Sequence, residues 1–376
     1  MKVLFLTDTI FPVPTSNGAC VEKIAKEYEN AYIMSVSDSQ GKQEGNVFSY
    51  YYKRKPSRLY KRVFGFCEDS EYVDFLTDKA VRLIEEYKID TVVCVYQPVE
   101  NLIAGIKIKE KCMSVVVISY LLDCIGEYDY SNIFKKKIIT FNLIRLIKKF
   151  NVKCDGIIAL KYYADFFKSH KIGGIDYTGI PNLLSVRITD VPVKYDTMIY
   201  TGSFNESFRN PKNVLELINK LNITLRLYSK GCEKIVDEYV AKNGKIIKHD
   251  LVASSEVGSI INSGAFLLNV SNTLKHAVPG KLLEYIASGY PIINYIFNKE
   301  NDPAIDDCLK YPNMLILFDG DNDNEEKLKA FINKNFQRVN FEYLYKQYYD
   351  STPEFVAQKI KTIYSERGYV KLSNLS

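Results

Sequence analysis

Short apolar runs alternate along the chain with helix-length stretches in which apolar residues recur every three or four positions. A first series comprises KVLFLT (2–7), AYIMSV (31–36), TVVCVY (91–96), SVVVIS (114–119) and GIIAL (156–160). A second comprises TMIYTG (197–202), ITLRLY (223–228), KIIK (245–248), GAFLLNV (264–270), PIINYI (291–296) and MLILF (314–318). Runs with little polar alternation suit strands covered on both faces, hence parallel sheets wrapped by helices. Between the two series, PNLLSVRITDVPVKYD (181–196) has two prolines and no long apolar period, which marks a linker. The expectation is an α/β chain of two doubly wound, Rossmann-like domains facing a central cleft, spanning 1–190 and 191–350. Residues 351–376 form a closing helix that returns toward the first domain, with Thr352 as N-cap and Pro353 at the first helical position. In such sheets ligands sit beyond the carboxyl ends of the strands.

Composition narrows the class. A chain of 376 residues at 47% hydrophobic content exceeds one ordinary core, in keeping with two domains. No apolar run is long enough to span a bilayer, and Met1-Lys2-Val3 leads directly into a strand-like segment, so a cytoplasmic location is expected. The eight cysteines are scattered without a CxxC pair and read as small buried hydrophobes. His170, His249 and His276 share no helix face, and no protein-built metal centre is expected. Net charge is only +5, but basic residues cluster in YYKRKPSRLYKR (51–62) and IFKKKIITFNLIRLIKKF (133–150). In the second of these, Ile138, Phe141, Ile144, Leu146 and Phe150 lie among the lysines. That pattern fits a helix resting on an anionic lipid surface at the inner face of the cell membrane, and equally a helix packed on the sheet with a solvated outer face. Neither stretch carries a nucleic-acid reading motif.

The stretch VPGKLLEYIASGYPII (278–293) follows GAFLLNV and a polar loop and precedes PIINYI, completing a strand-loop-helix-strand unit. Its helix starts at the carboxyl edge of the sheet, where first-turn N–H groups and the positive end of the helix dipole favour an anion. Gly280 lets a phosphate approach the backbone, Lys281 adds a charge, and Glu284 lies about one turn on, within reach of ribose hydroxyls. The same residues also fit a Pro-Gly turn into a core helix with a solvated glutamate. YTGSFNESFRNPKNVLELINKL (200–221) repeats the strand, Gly turn and helix, with Asn210 as N-cap, Pro211 at the first position and Arg209 and Lys212 beside the helix start. Two such starts carrying Arg209, Lys212 and Lys281 make a site for a diphosphate, although solvated surface cations near helix ends have the same look. The run DGDND (319–323) reads as a polar turn, with a metal-binding Asp-x-Asp as the alternative.

These segments resemble the retaining family-four glycosyltransferases of the GT-B fold. VPGKLLEYIASGYPII is similar to their donor-site segment, and IYTGSFNESFRNPKNVLELI to the strand, Gly turn and basic helix that open the second domain. TDTIFPVPTSNGACVEKIAKEY (7–28) is similar to their first strand-to-helix loop, and IPNLLSV to their interdomain linker. The resemblance implies a nucleotide sugar, a UDP-sugar, held mainly by the second domain, and a glycan or lipid-linked acceptor, as in assembly of bacterial surface polysaccharide or glycoconjugate. It implies that Glu284 binds the ribose, that Arg209 and Lys212 bind the diphosphate, and that the Pro279, Gly280, Lys281 and Leu282 backbone holds the distal phosphate. Gly202 and Ser203 then line the turn, and Gly18 the junction with the first domain. It further implies catalysis without a metal or other cofactor and with retention, a phosphate oxygen taking the acceptor proton; Lys281 supports the leaving group. An inverting reaction would instead need a base, for which Asp123 or Glu127 stands in the right loop, although Asp123 equally suits a local backbone-bonded turn.

Two positions depart from the pattern. The family pairs two glutamates eight positions apart, and the first is replaced here by His276, which either bonds a sugar hydroxyl or caps its loop. The family also places a basic residue after the glycine that opens the second domain, where this chain has Ser203; Arg209 substitutes for it from the loop. An enzyme that isomerises a nucleotide sugar, or an idle nucleotide-sugar-binding scaffold, are the alternatives on the same frame.

Overall fold

The computed structural model describes residues 1–11, 14–53, 69–123, 133–184, 191–242, 244–252, 254–300 and 302–373. Glu127, Cys67, Cys124, residues 54–62 of the first basic stretch and linker residues 185–190 lie outside them.

Two compact units divide the chain, Met1–Pro181 with Asp350–Ser376 and Asn182–Tyr349. The first is built on eight strands: β1 (Val3–Leu6), β2 (Ala31–Ser37), β3 (Lys42–Glu44), β4 (Val47–Tyr51), β5 (Thr91–Tyr96), β6 (Val116–Leu121), β7 (Gly156–Leu160) and β8 (Ile175–Thr178). Their order is β3-β4-β2-β1-β5-β6-β7-β8, parallel throughout except for the β3–β4 hairpin. Strands β1, β5 and β6 are buried along their full length because helices cover both faces, which is why they read as unbroken apolar runs.

The second unit has six parallel strands: β9 (Thr197–Ser203), β10 (Thr224–Lys230), β11 (Ile246–His249), β12 (Phe266–Val270), β13 (Ile292–Ile296) and β14 (Met314–Phe318). Their order is β11-β10-β9-β12-β13-β14. Val214, Leu215 and Ile218 of the helix Lys212–Asn219 pack with Leu225, Leu227, Phe266 and Leu268 to form its core. The chain leaves β9 toward β10 on one side and later returns to β12 on the other. The carboxyl ends of β9 and β12 therefore mark the topological switch point of this sheet.

The helix Pro353–Ser373 belongs to the first unit. Thr352 caps it, its hydroxyl accepting from Phe355 N at 3.1 Å, and Val356, Ala357, Ile360 and Ile363 are buried. Tyr28 donates to Ala357 O at 3.0 Å and Lys359 pairs with Asp176 at 2.9 Å, tying the chain's last helix to its early elements. Cys20, Cys94, Cys112, Cys154, Cys232 and Cys308 are free thiols, and burial pushes the Cys154 thiol up to about 12, so it packs as a neutral hydrophobe. Among the described residues no helix is long and apolar enough to cross a membrane.

Candidate functional site

Both helix starts singled out from the sequence stand at the carboxyl edge of the second sheet, after the adjacent strands β9 and β12. The two loops are stitched together. Thr273 N donates to Phe208 O at 2.9 Å, and the Arg209 guanidinium donates from Nε to Asn272 Oδ1 at 2.9 Å. Asn272 in turn donates to Ala277 O at 2.8 Å, fixing the approach to the second helix. Arg209 also reaches Ser203 O with Nη1 at 3.1 Å. The cation missing after Gly202 is thus brought back to that turn from six residues downstream. Asn272, absent from the residues singled out by sequence, is what orients it.

The helix Lys212–Asn219 starts as its sequence dictates: Asn210 Oδ1 accepts from Lys212 N at 3.0 Å, and Pro211 already has helical backbone angles. Lys212 itself is exposed. Beneath this loop, Tyr200 stacks on Phe204 with ring centroids 4.4 Å apart and donates to Ser203 O at 3.0 Å. Burial pushes the Tyr200 phenol up to about 12, with the Arg209 charge pulling the other way.

The helix Lys281–Ser288 begins at Gly280 with no side-chain cap. Asn182 donates to Gly280 O at 3.0 Å and so holds the turn from below, a second positioning contact that the sequence did not reveal. Leu282 is turned wholly into the core and its N–H donates to Pro279 O at 3.0 Å, so this amide is satisfied within the turn. Lys281 and Glu284 face one another as an ion pair, Nζ to Oε2 2.6 Å, with side chains 35% and 21% exposed. The carboxylate expected at a ribose is therefore matched with the cation expected at a phosphate, and a ligand engaging either must compete with a partly solvated pair. Tyr285 locks the helix to β9: its hydroxyl accepts from Thr201 N at 2.8 Å and lies 3.0 Å from the Thr201 hydroxyl. At the far end Gly289 takes φ +77, where a Cβ would stand 2.4 Å from Val339 O, and Arg338 donates to Ser288 O at 2.6 Å as a cationic cap. His276 lies half-buried in the loop between β12 and this helix.

Asp319, which opens the DGDND turn, accepts from Asn213 Nδ2 at 2.9 Å and from the Tyr295 hydroxyl at 2.5 Å. Asp321 and Asp323 instead pair with Lys327, at 3.7 and 2.8 Å. These carboxylates are spent on structure, as a polar turn requires. Among the described residues no group of three His, Cys, Asp or Glu is placed to hold a metal ion.

In the first unit, Gly18 lies in the first turn of the helix Ser16–Ala25, which follows β1, and its N–H donates to the capping Thr15 hydroxyl at 3.2 Å. A Cβ at Gly18 would stand 2.7 Å from Thr9 O, so the close approach of helix and loop requires glycine there. Asp123 sits just past the carboxyl end of β6, partly buried.

The chain matches no protein-family model and no curated protein sequence. Solved structures do share its architecture. Sucrose-phosphate synthase from Thermosynechococcus elongatus is similar over 100% of both chains at a TM-score of 0.65 and 10% identity. An α,α-trehalose-phosphate synthase (UDP-forming) from Burkholderia xenovorans is similar over 97% of this chain and 100% of its own, at 0.64 and 8%. UDP-GlcNAc 2-epimerase from Methanocaldococcus jannaschii is similar over 96% and 100%, at 0.56 and 13%. The fold is that of the GT-B enzymes, with two parallel-sheet bodies in one chain.

Proposed function

We propose that this protein is a glycosyltransferase that moves a sugar from a nucleotide diphosphate sugar, a UDP-sugar, to a glycan or lipid-linked acceptor. The observation that carries the reading is the pairing of two helix starts at the switch point of the second sheet, with Arg209 fixed over one and Lys281 and Glu284 on the other. Arg209 is held by Nε and one Nη1 contact, which leaves guanidinium donors for a diphosphate. Lys281 and the dipole of its helix neutralise charge as the diphosphate leaves, and Glu284 accepts from the ribose hydroxyls. With those groups stabilising the leaving group, no metal is required. The acceptor hydroxyl enters on the face the diphosphate leaves, a phosphate oxygen takes its proton, and configuration is retained. In the inverting alternative Asp123 takes that proton. His276 bonds a hydroxyl of the transferred sugar in place of the family's acid. The UDP named for several similar structures favours uridine as the base.

The presence of an epimerase among the similar structures gives weight to a second reading, isomerisation of a nucleotide sugar on the same frame. Incubation with UDP-sugars separates the two. Free UDP released only when acceptor is present supports the transferase, whereas an altered UDP-sugar without acceptor supports the isomerase. A melting screen against nucleoside diphosphates comes first, because a ligand at about a hundred times its Kd stabilises by roughly 2.7 kcal/mol. No shift with any nucleotide overturns both readings.

A further inference from the structure

The helix Ile133–Lys153, IFKKKIITFNLIRLIKKFNVK, carries lysines and an arginine along its whole length and no acidic residue. Its inward face is set by Ile139, Leu143, Ile147 and Phe150, none more than 4% exposed. A helix held in this way ordinarily presents polar side chains outward. This one presents Phe141 at 64%, Ile138 at 46% and Val152 at 83% exposure. At 3.6 residues per turn, Phe141, Arg145, Lys148 and Val152 fall within an arc of about 60°, flanked by Lys137 and Ile138. Among the described residues Lys153 pairs with Glu110 at 3.8 Å, but Lys137, Arg145, Lys148 and Lys149 have no carboxylate partner.

We propose that this outer face of the first unit docks on an anionic lipid bilayer, with Phe141 and Ile138 entering the headgroup boundary while the surrounding cations meet lipid phosphates. Charge complementarity selects the occupant. A second copy of the same face would oppose cation to cation, whereas an anionic bilayer supplies both the negative field and an apolar layer for the aromatic ring. The contact would bring a lipid-linked acceptor to the enzyme, yet the surface argument does not depend on the donor site. Nucleotide binding measured without vesicles tests that site separately.

The test is co-sedimentation of the full chain with phosphatidylcholine vesicles, with and without phosphatidylglycerol, at low and high salt. Binding should require phosphatidylglycerol and fall steeply with salt. Removing two charges with Lys148→Gln and Lys149→Gln should weaken partitioning roughly 25-fold, at about fivefold per cation near the surface. Phe141→Ser should weaken it severalfold while leaving the salt dependence in place, and both variants should keep the parent melting temperature. Binding that ignores lipid charge, or that survives these substitutions, overturns the proposal. So does a dimer that the same substitutions dissolve in the absence of any vesicle binding.

Discussion

Replacing Glu284 with alanine separates a ligand-binding carboxylate from a structural one. In the free protein the side chain is matched with Lys281 at 2.6 Å, and both groups are partly solvated. An i,i+3 pair so exposed contributes about 0.5 kcal/mol, so the substitution should shift the melting temperature by no more than a degree or two. In the proposed complex the carboxylate would accept two hydrogen bonds from a vicinal diol, each worth about 1.5–3 kcal/mol for a charged acceptor. Less about 0.5 kcal/mol for parting Lys281, the loss should be about 2.5–5.5 kcal/mol, or roughly 70- to 10,000-fold in Kd. Calorimetric titration of UDP or a UDP-sugar into both proteins measures it, with a thermal melt to confirm that the variant is folded. Lys281→Met supplies the opposite arm: it takes the 2.6 Å ion pair from Glu284 and the proposed phosphate contact with it, and should weaken UDP more than uridine. Unchanged nucleotide affinity in the Glu284→Ala variant would refute the assignment of this helix as the donor site.

Asn272→Ala should release the Arg209 guanidinium and weaken nucleotide diphosphate binding about tenfold, with little change for the nucleoside alone, as read by the same titration. Gly289→Ala should lose at least about 2 kcal/mol, seen as a fall of about 5 °C or more in Tm, because it puts a Cβ against Val339 O and strains a positive φ. Stability should decline as pH rises above 10. Tyr200 holds its proton to about 12 in the folded chain but releases it near 10 when unfolded, so the unfolded state binds fewer protons over that window. Burial raises the Tyr285 and Tyr120 phenols in the same direction, and each such group adds a slope of about 1.4 kcal/mol per pH unit. Urea midpoints at pH 9 and 11 that coincide would contradict this.

The parallel strands were legible because burial on both faces leaves no room for polar alternation, as in TVVCVY at β5 and FLLNV at β12. β3 and β8 escaped for the converse reason. Lys42–Glu44 is wholly exposed and IDYT at β8 is short and largely polar, so edge position rather than composition makes them strands. The start of the Lys281–Ser288 helix was visible because Pro-Gly, a cation and a glutamate at i+3 leave a local signature. Asn272 and Asn182 were not, since a polar residue in SNTLKHAVPG or IPNLLSV acquires its role only when distant backbone is brought to its amide. The Lys281–Glu284 contact was readable from spacing, but each partner was assigned to ligand rather than to the other. For the second basic stretch the sequence left two environments open. The buried faces of Ile139, Leu143 and Ile147 show that the helix does pack on the unit, with Phe141 left exposed on its outer side.

The first unit is assembled from two stretches of chain, with the whole of Asn182–Tyr349 interposed before Asp350–Ser376 returns. During synthesis at about 5–20 residues per second, β8 waits roughly 10–35 s and the Ser16–Ala25 helix roughly 15–65 s for the helix that packs on them. The interposed unit, being continuous, can reach its native state while its predecessor is still open. Nascent chains arrested before Asp350 should therefore yield a protease-resistant core from the later half and a digestible earlier one, reversing the usual vectorial order of maturation.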